Sequence, residues 1–421
     1  MLKAVILIGG PSKGTRFRPL SLDIPKPLFP IAGLPMIEHH IKACLNIKNL
    51  NEILIIGSYN ASELQSFVKE MTDSYGISIR YLQELTALGT AGGIYHFRAE
   101  IRAGDPDAFF IMNGDVCANF PLSEMLEMHI KTSAVLTVMA TEATRQQSLN
   151  YGCIVPSKED CRQVVHYVEK PSTFVSTLIN CGVYLASLDI FQFMADVFDA
   201  RHKQDKSMLM NGNGKDPAYI SLEQDILTRL SETGKFCVFQ TSNWWSQVKT
   251  PGAAIYANRH HLAVYRSKES ERLLPPVSGQ CQIIGNVFID ASAVIHPTAT
   301  LGPNVSIGPN VRLGAGVRIR ESIVLANSQI QSHSMVLHSI IGRGSVVGEW
   351  ARVEGTPCDP DPDKPFAKKE NPPLFNVNGK LNPSISILGE SVTLAAERIL
   401  LNSIVLPYKQ LTRDLRNEII L

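Results

Sequence analysis

The sequence carries almost no net charge. Its 40 Lys and Arg stand against 39 Asp and Glu, leaving +1. A balance this even excludes binding to nucleic acid or to a membrane surface through bulk charge. Long apolar runs are missing too, and none reaches the roughly 18 residues of a membrane-spanning helix. The eight cysteines contain no C-x-x-C pair. Their scatter argues against a disulfide framework and a zinc site, and points to reduced thiols in a cytoplasmic protein. A secretory leader is not recognisable either. Met1–Ile8 is apolar, but Gly9-Gly10 and a basic run from Lys13 to Arg18 follow at once, without a small-residue cleavage site. Met1–Ile8 reads instead as a buried first strand.

What is present is a chain of 421 residues, 44% hydrophobic and 19% charged, enough for two or three ordinary domains with a sizeable core. Apolar strand-like runs at Ala4–Ile8, Glu52–Ile56, Phe109–Met112, Val135–Met139 and Cys181–Leu185 alternate with helix-length segments such as Pro35–Leu45, Ala61–Met71 and Leu122–Lys131. Alternation of this kind predicts βαβ units around a mostly parallel sheet. Residues 203–217, polar and rich in Gly, Asn and Lys, read as a surface loop. Helical character at Gly252–Tyr265 leads into a linker at 266–280.

Beyond residue 280 the period changes. Ile283, Ile289, Ile295, Leu301, Ile307, Leu313 and Ile319 fall six residues apart without a slip. Each hexad supplies a short strand and a turn, three hexads make one triangular coil, and stacked coils bury the anchors in a column. The pattern loosens at Ser322–His338 and recovers at Ile341-Gly342 and Val347-Gly348. It returns at Leu388-Gly389 after a proline-rich, charged gap at 355–384. The expected domains are therefore 1–265 and 281–421, the second carrying a long insertion.

Chemistry is concentrated in the first domain. Gly9 and Gly10 follow Leu7-Ile8 at the end of the first strand, where backbone N–H groups can approach a phosphate. Arg16 and Arg18 lie in Gly14-Thr15-Arg16-Phe17-Arg18-Pro19-Leu20, and Lys26 in Pro25-Lys26-Pro27. Such a basic loop neutralises a polyphosphate. Glycine loop, G-T-R-x-R-P-L and P-K-P at this spacing resemble the nucleotide-sugar pyrophosphorylases, which join a sugar 1-phosphate to a nucleoside triphosphate.

That resemblance implies a Rossmann-like mixed-sheet nucleotidyltransferase domain followed by a left-handed parallel β-helix of hexapeptide repeats. It also implies roles. Arg16 and Lys26 match catalytic positions, vestigial if the chain is inactive, and Leu7, Gly9, Gly10 and Lys26 match nucleotide contacts. Gln83 would face the base, and Gly89-Thr90 would approach its ring. Asn113-Gly114-Asp115 matches the segment with the first Mg²⁺-binding Asp. Gly152, Glu169, Lys170, Asn180 and Gly182 match sugar and sugar-phosphate contacts, with hydroxyls at Glu169 and Asn180 and a phosphate at Lys170. The insertion, Ser148–Gly152 and the C-terminal Asn417–Leu421 look most like the eukaryotic mannose-1-phosphate guanylyltransferases, over nearly the whole chain.

Two departures stand out. Three residues, Pro11, Ser12 and Lys13, separate Gly10 from the G-T-R element, where active relatives have one. In the segment Trp245–Pro251, Gln247 occupies the place of the second metal-binding Asp, and Lys249 that of a Gly. A neutral amide is a poor ligand for Mg²⁺, which prefers anionic oxygen, and a nearby lysine repels the cation. Glu223 or Asp225 is the alternative source of a carboxylate. The resemblance thus implies a GDP-mannose-binding, catalytically weak chain that reports product level to a catalytic beta-type partner. Assembly with itself and with that partner would run through the β-helix, and the insertion would touch the partner through Asp359, Asp361, Lys368, Lys369 and Phe375. The competing expectation is an active guanylyltransferase, with GTP and Mg²⁺ at Asp115. Acyl transfer by the repeat domain would need His296, His333 or His338, none of which has a supporting motif.

Overall fold

The computed structural model describes residues 1–12, 14–208, 219–273, 281–370 and 372–421. Lys13, the stretch 209–217 of the expected surface loop, residues 274–280 of the expected linker and Asn371 of the insertion lie outside the described residues. The chain divides into two compact units. One comprises Met1–Lys13, Ile37–Trp245 and Asp361–Lys368; the other comprises Gly14–Met36, Ser246–Pro360 and Lys369–Leu421.

The first unit is built on a nine-stranded sheet. Its strands are β1 (Leu2–Gly9), β2 (Leu50–Gly57), β3 (Ser78–Gln83), β4 (Ala108–Asn113), β5 (Leu136–Glu142), β6 (Gly152–Pro156), β7 (Val164–Glu169), β8 (Leu178–Ala186) and β9 (Phe236–Gln240). The order is β7-β6-β8-β4-β1-β2-β3, with β5 paired to β8 and β9 paired to β5. Strands β1, β2, β3 and β4 run parallel, and so do β5 and β9. The sheet is less parallel than the alternation of elements predicts, because β8 is antiparallel to β4, β5 and β6, and β7 is antiparallel to β6. The connections between β6, β7 and β8 are too short for a crossover helix, so successive strands reverse direction.

Central strands are apolar on both faces because helices cover them. Ala4, Val5 and Ile6 of β1, and Phe109, Phe110 and Ile111 of β4, are fully buried. The helix Ala61–Tyr75 begins where the Asn60 side chain accepts from the Ser62 N–H and ends at Gly76, which takes φ +64°. The helix Ile190–Met208 extends into the stretch read from sequence as a loop. It packs Phe191 on Phe109, with the rings stacked 5.5 Å apart.

The second unit contains a left-handed parallel β-helix of three sheets, with seven, seven and six strands. The sixfold spacing is visible as pairings eighteen residues apart, Ile283 with Leu301 and Leu301 with Ile319. From Ile307 the step shortens to seventeen, Ile307 with Val324 and Leu313 with Ile330. The coil is one residue short here and again in the next, Val324 pairing with Ile341 and Ile330 with Val347, which is why the sequence pattern loosens there while the column stays in register. Serines in the shortened coils are buried but satisfied: Ser328 and Ser334 Oγ donate to the carbonyls of Gly342 and Gly348 at 2.8 and 2.6 Å. The insertion leaves the solenoid after the strand Arg352–Glu354 and rejoins it at Ser386–Leu388. Strand pairing resumes across it, Ile341 with Leu388. The helix Pro251–Lys268 runs three residues past Tyr265, and a 3-10 turn, Ser270–Leu273, follows within the stretch read as a linker. Among the described residues no helix is long and apolar enough to cross a membrane.

Candidate functional site

In the first unit most of the sequence-derived site residues gather at the carboxyl ends of β1, β3 and β4 and along β6 to β8. Crevices outside the carboxyl ends of such strands are where open α/β sheets bind ligands. Leu7 pairs with Asn113, and Gly9 with Gly57, whose other neighbour is Gln83. The Gly114 N–H donates to the Leu7 carbonyl at 2.8 Å. Asp115 follows at once, half-buried beside these strand ends. Gly10 lies close against Ser58, and a Cβ there would force the Ser58 hydroxyl to move, since it would lie 1.9 Å from Oγ. Gln83 Oε1 accepts from the Ala61 N–H at 3.3 Å.

The sugar-side residues form one hydrogen-bonded chain. The Tyr167 hydroxyl donates to Glu169 Oε2 at 2.7 Å. Asn180 Nδ2 donates to the Tyr167 and Tyr184 hydroxyl oxygens at 3.1 and 2.8 Å. Asn180 Oδ1 accepts from the Gly182 N–H at 2.8 Å, which fixes the amide's orientation. The Tyr184 hydroxyl reaches Glu223 Oε1 at 3.5 Å, and Glu223 Oε2 accepts from Thr90 Oγ1 at 2.8 Å and Ser221 Oγ at 2.9 Å. Glu169, Asn180 and Thr90, 90 residues apart at the extremes, are thereby joined through Tyr167, Tyr184 and Glu223. Burial pushes both phenols well above the ordinary tyrosine range, with nearby Glu carboxylates adding to the effect. Both therefore stay protonated and donate. Each accepts one bond from Asn180 and gives one, so donation runs outward from Asn180 on both sides, to Glu169 through Tyr167 and to Glu223 through Tyr184.

Glycines shape the same pocket. A Cβ on Gly152 would lie 2.0 Å from the Tyr167 hydroxyl and 2.7 Å from Glu169 Oε2. Gly182, at φ +71°, would push one to 2.6 Å from Asn113 Nδ2. Gly89, at φ +81°, lies against the Ile220 carbonyl, which also accepts from the N–H groups of Ala91 and Gly92. Lys170 is exposed, with its Nζ 3.1 Å from Glu169 Oε1.

Sequence reasoning missed Tyr167 and Tyr184 and raised Glu223 only as a metal ligand; the structure makes it the end of this hydrogen-bonded chain. The available signal was the spacing of Tyr167, two residues before Glu169, and of Tyr184, four after Asn180: both intervals return a strand residue to the same face. Asn180 is buried and both its amide hydrogens are committed to the two phenols, which leaves a lone pair of Oδ1 for a ligand. Gln147 was also missed. Its amide donates to the Lys368 carbonyl and accepts from the Lys368 N–H, both at 2.8 Å, and Lys368 Nζ reaches Thr141 Oγ1 at 3.2 Å. Burial lowers the ammonium's pKa there, against the attraction of the Cys181 thiol and Glu142.

The remaining sequence-derived residues belong to the second unit, apart from Asp361, which stands with Lys368 in the first and pairs with Lys364 at 3.3 Å. Arg16 is exposed in a 3-10 turn, Thr15–Phe17, and Lys26 Nζ sits 6.0 Å from the centre of the Phe17 ring. Gln247 lies at the end of a short strand, Trp245–Gln247, its carbonyl accepting from the Lys249 N–H at 3.0 Å. Asp359 pairs with Arg259 at 3.1 Å, Lys369 is buried, and Phe375 is exposed. His333 stacks on Trp350 at 4.4 Å, and His296 Nδ1 lies 2.9 Å from Thr298 Oγ1.

Residues 3–218 match the family model described as nucleotidyl transferase, and residues 283–420 match the one described as GMPPB C-terminal domain. Three similar proteins are each named mannose-1-phosphate guanylyltransferase regulatory subunit alpha. The Drosophila melanogaster protein is 60% identical over 439 residues, the Xenopus tropicalis protein 54% over 424 and the Rattus norvegicus protein 52% over 423. In each case the alignment covers 100% of both chains. With identity this high along its whole length, the chain belongs to the alpha regulatory subunit family of mannose-1-phosphate guanylyltransferases, within the nucleotidyl transferases.

Proposed function

We propose that this chain is a cytoplasmic regulatory subunit that binds GDP-mannose and, when it is bound, lowers the activity of a catalytic beta-type guanylyltransferase subunit. The observation that carries the reading is an intact sugar-side pocket beside a depleted catalytic set. The chain from Glu169 through Tyr167, Asn180 and Tyr184 to Glu223 and Thr90 is fully satisfied. An amide, Gln247, stands where the second metal carboxylate would be. The donor set does not fit Mg²⁺, whose coordination favours anionic oxygens, and a single Asp115 carboxylate is a poor clamp for phosphate charge. Binding survives such a loss more readily than nucleotidyl transfer, which depends on positioning and charge stabilisation.

The contact with the partner is assigned to the exposed tip of the insertion, where Leu374, Phe375 and Val377 present apolar side chains. Assembly through the β-helix domain, with itself and with the partner, belongs to the same reading. The test is calorimetry of the purified chain with GDP-mannose, alongside pyrophosphate release with GTP, Mg²⁺ and mannose 1-phosphate. Binding without release is expected. Turnover by the chain alone at about 1 s⁻¹ or faster, a rate ordinary for enzymes, removes the regulatory reading. A chain that neither binds nor turns over removes the GDP-mannose pocket.

A further inference from the structure

Within the second unit a cavity of about 490 Å³ opens between the Thr15–Arg18 turn, the insertion and one face of the β-helix. One end is cationic. Arg16, Arg18 and Lys369 line it, and so do Thr250, Pro251 and Gly252 at the N-terminus of the helix Pro251–Lys268. The other end is apolar, walled by Ile385, Ile387, Ile404, Leu406 and Leu374.

Lys369 is the unusual residue. It is only 8% exposed, yet among the described residues its ammonium makes neither an ion pair nor a hydrogen bond. A side chain added at Gly252 would sit 3.8 Å from its Nζ, so the ammonium is held against a helix N-terminus. That end of a helix is itself positive, and Thr250 provides no side-chain cap. A buried cation facing a positive helix end is costly unless an anion joins them. Arg16 and Arg18, which also have no side-chain partner among the described residues, add two guanidinium forks. Glu370 brings one carboxylate to the lining and leaves the three cations in excess.

We propose that this cavity is a binding site for a phosphate-bearing small molecule, its phosphate between Lys369 and the helix N-terminus and its apolar part on the β-helix wall. A dianionic phosphate matches the excess charge, and its oxygens suit guanidinium forks and backbone N–H groups together, where a monoanionic carboxylate would leave charge unpaired. The volume and the largely apolar lining are those of a small-molecule site. Arg16 and Arg18 of the basic loop line it, but none of the base- and sugar-side residues named above does, so the site shares only that loop with the residues assigned to GDP-mannose.

The experiment uses the full chain with phenyl phosphate, inorganic phosphate and benzoate as probes, read by calorimetry and by melting temperature. Phenyl phosphate should bind more tightly than either of the others. Lys369→Met should weaken it about tenfold or more, the range of a charge-assisted contact. The same variant should melt higher than the parent in phosphate-free buffer, because an unpaired buried charge is gone. Ile404→Trp, which fills the apolar end and spares the cations, should weaken phenyl phosphate but not inorganic phosphate. Equal affinity of Lys369→Met and parent for phenyl phosphate overturns the proposal. So does benzoate binding as tightly as phenyl phosphate, or an Ile404→Trp variant that binds phenyl phosphate unchanged.

Discussion

Removing one hydroxyl from the buried chain tests whether Asn180 is its organiser. Tyr184→Phe takes away the oxygen that accepts from Asn180 Nδ2 at 2.8 Å. The bond from Tyr184 to Glu223 is 3.5 Å long and contributes little, and Glu223 keeps Thr90 and Ser221. What is left is one amide hydrogen buried without a partner, which costs about 1–3 kcal/mol. Tyr167→Phe removes an equivalent acceptor at 3.1 Å and, in addition, a 2.7 Å bond to an ionised carboxylate. Bonds to charged groups are worth about 1.5–3 kcal/mol, so this variant should lose roughly 2.5–6 kcal/mol in total. It should also release Glu169 and weaken GDP-mannose, whereas Tyr184→Phe should leave that affinity closer to the parent. The assay is urea unfolding followed by Trp244 and Trp245, both in the first unit, in a Trp350→Phe background that silences the β-helix. The double variant should depart from the sum, because both changes act on the same Asn180 amide. A Tyr184→Phe protein within about 0.5 kcal/mol of the parent, or strict additivity, refutes the argument.

Gly152→Ala places a methyl about 2 Å from the Tyr167 hydroxyl. It should abolish measurable GDP-mannose binding in calorimetry and lower stability by about 1–3 kcal/mol through overpacking. Burial depresses His129 from 6.5 to about 4. Because the folded value lies below the unfolded one, the unfolded chain takes up a proton that the folded chain refuses. Stability is then whole above about pH 6.5 and falls on the order of 3 kcal/mol by pH 4; unfolding of His129→Leu should show a flatter slope. Gln147→Ala removes both bonds to the Lys368 peptide, worth about 2 kcal/mol together, and should speed limited proteolysis around 361–368 by about tenfold or more. Replacing residues 358–382 by a Gly-Ser bridge should leave GDP-mannose bound by this chain but abolish its effect on the catalytic partner. A complex inhibited to the same extent rules the insertion out.

The solenoid was legible because its signal is repeated and local. The hexad anchors are aliphatic residues six apart, usually followed by Gly or a small polar residue, and those from Leu301 to Ile319 are buried as the period requires. Its irregular coils were legible as a loosening but not as a cause, since a missing residue is recognised only from pairings such as Ile307 with Val324 and Val324 with Ile341. Strands β1, β2 and β4 were equally plain, being apolar on both faces. Strands β6 and β7 were not, because each is short and neither keeps a period of two: β6 buries Gly152, Cys153 and Ile154 in succession. Val165 and His166 of β7 are exposed while Val164 and Tyr167 are buried. The candidate site was legible wherever a motif carried it and opaque wherever side chains from distant segments converge. Thr90 and Glu223 meet across 133 residues, and no spacing in the sequence announces that.

The insertion shows how composition and structure divide the same segment. Its charges suggest a surface made for a polar partner, which points to Asp359, Asp361, Lys368 and Lys369, with Phe375 as an apolar anchor. In the structure much of that segment is already paired or buried within the chain. Asp359 is paired with Arg259, Lys368 is held at both its peptide groups by Gln147, and Lys369 is buried. A partner that engaged Asp359 or the Lys368 peptide would first have to break the bonds they make here, and one that engaged Lys369 would have to reach a buried ammonium, whereas one that met Phe375, at 48% exposure, and Val377, fully exposed, would meet neither obstacle. Hot spots are dominated by such aromatic and apolar anchors. Phe375→Ser should therefore weaken assembly with the catalytic subunit at least about tenfold in sedimentation or calorimetry, the loss expected when a central anchor worth 2 kcal/mol or more is truncated. Asp359→Asn should act on stability through Arg259 and leave assembly unchanged. The reverse order of effects, with Asp359→Asn dissociating the complex and Phe375→Ser sparing it, would return the contact to the charged stem.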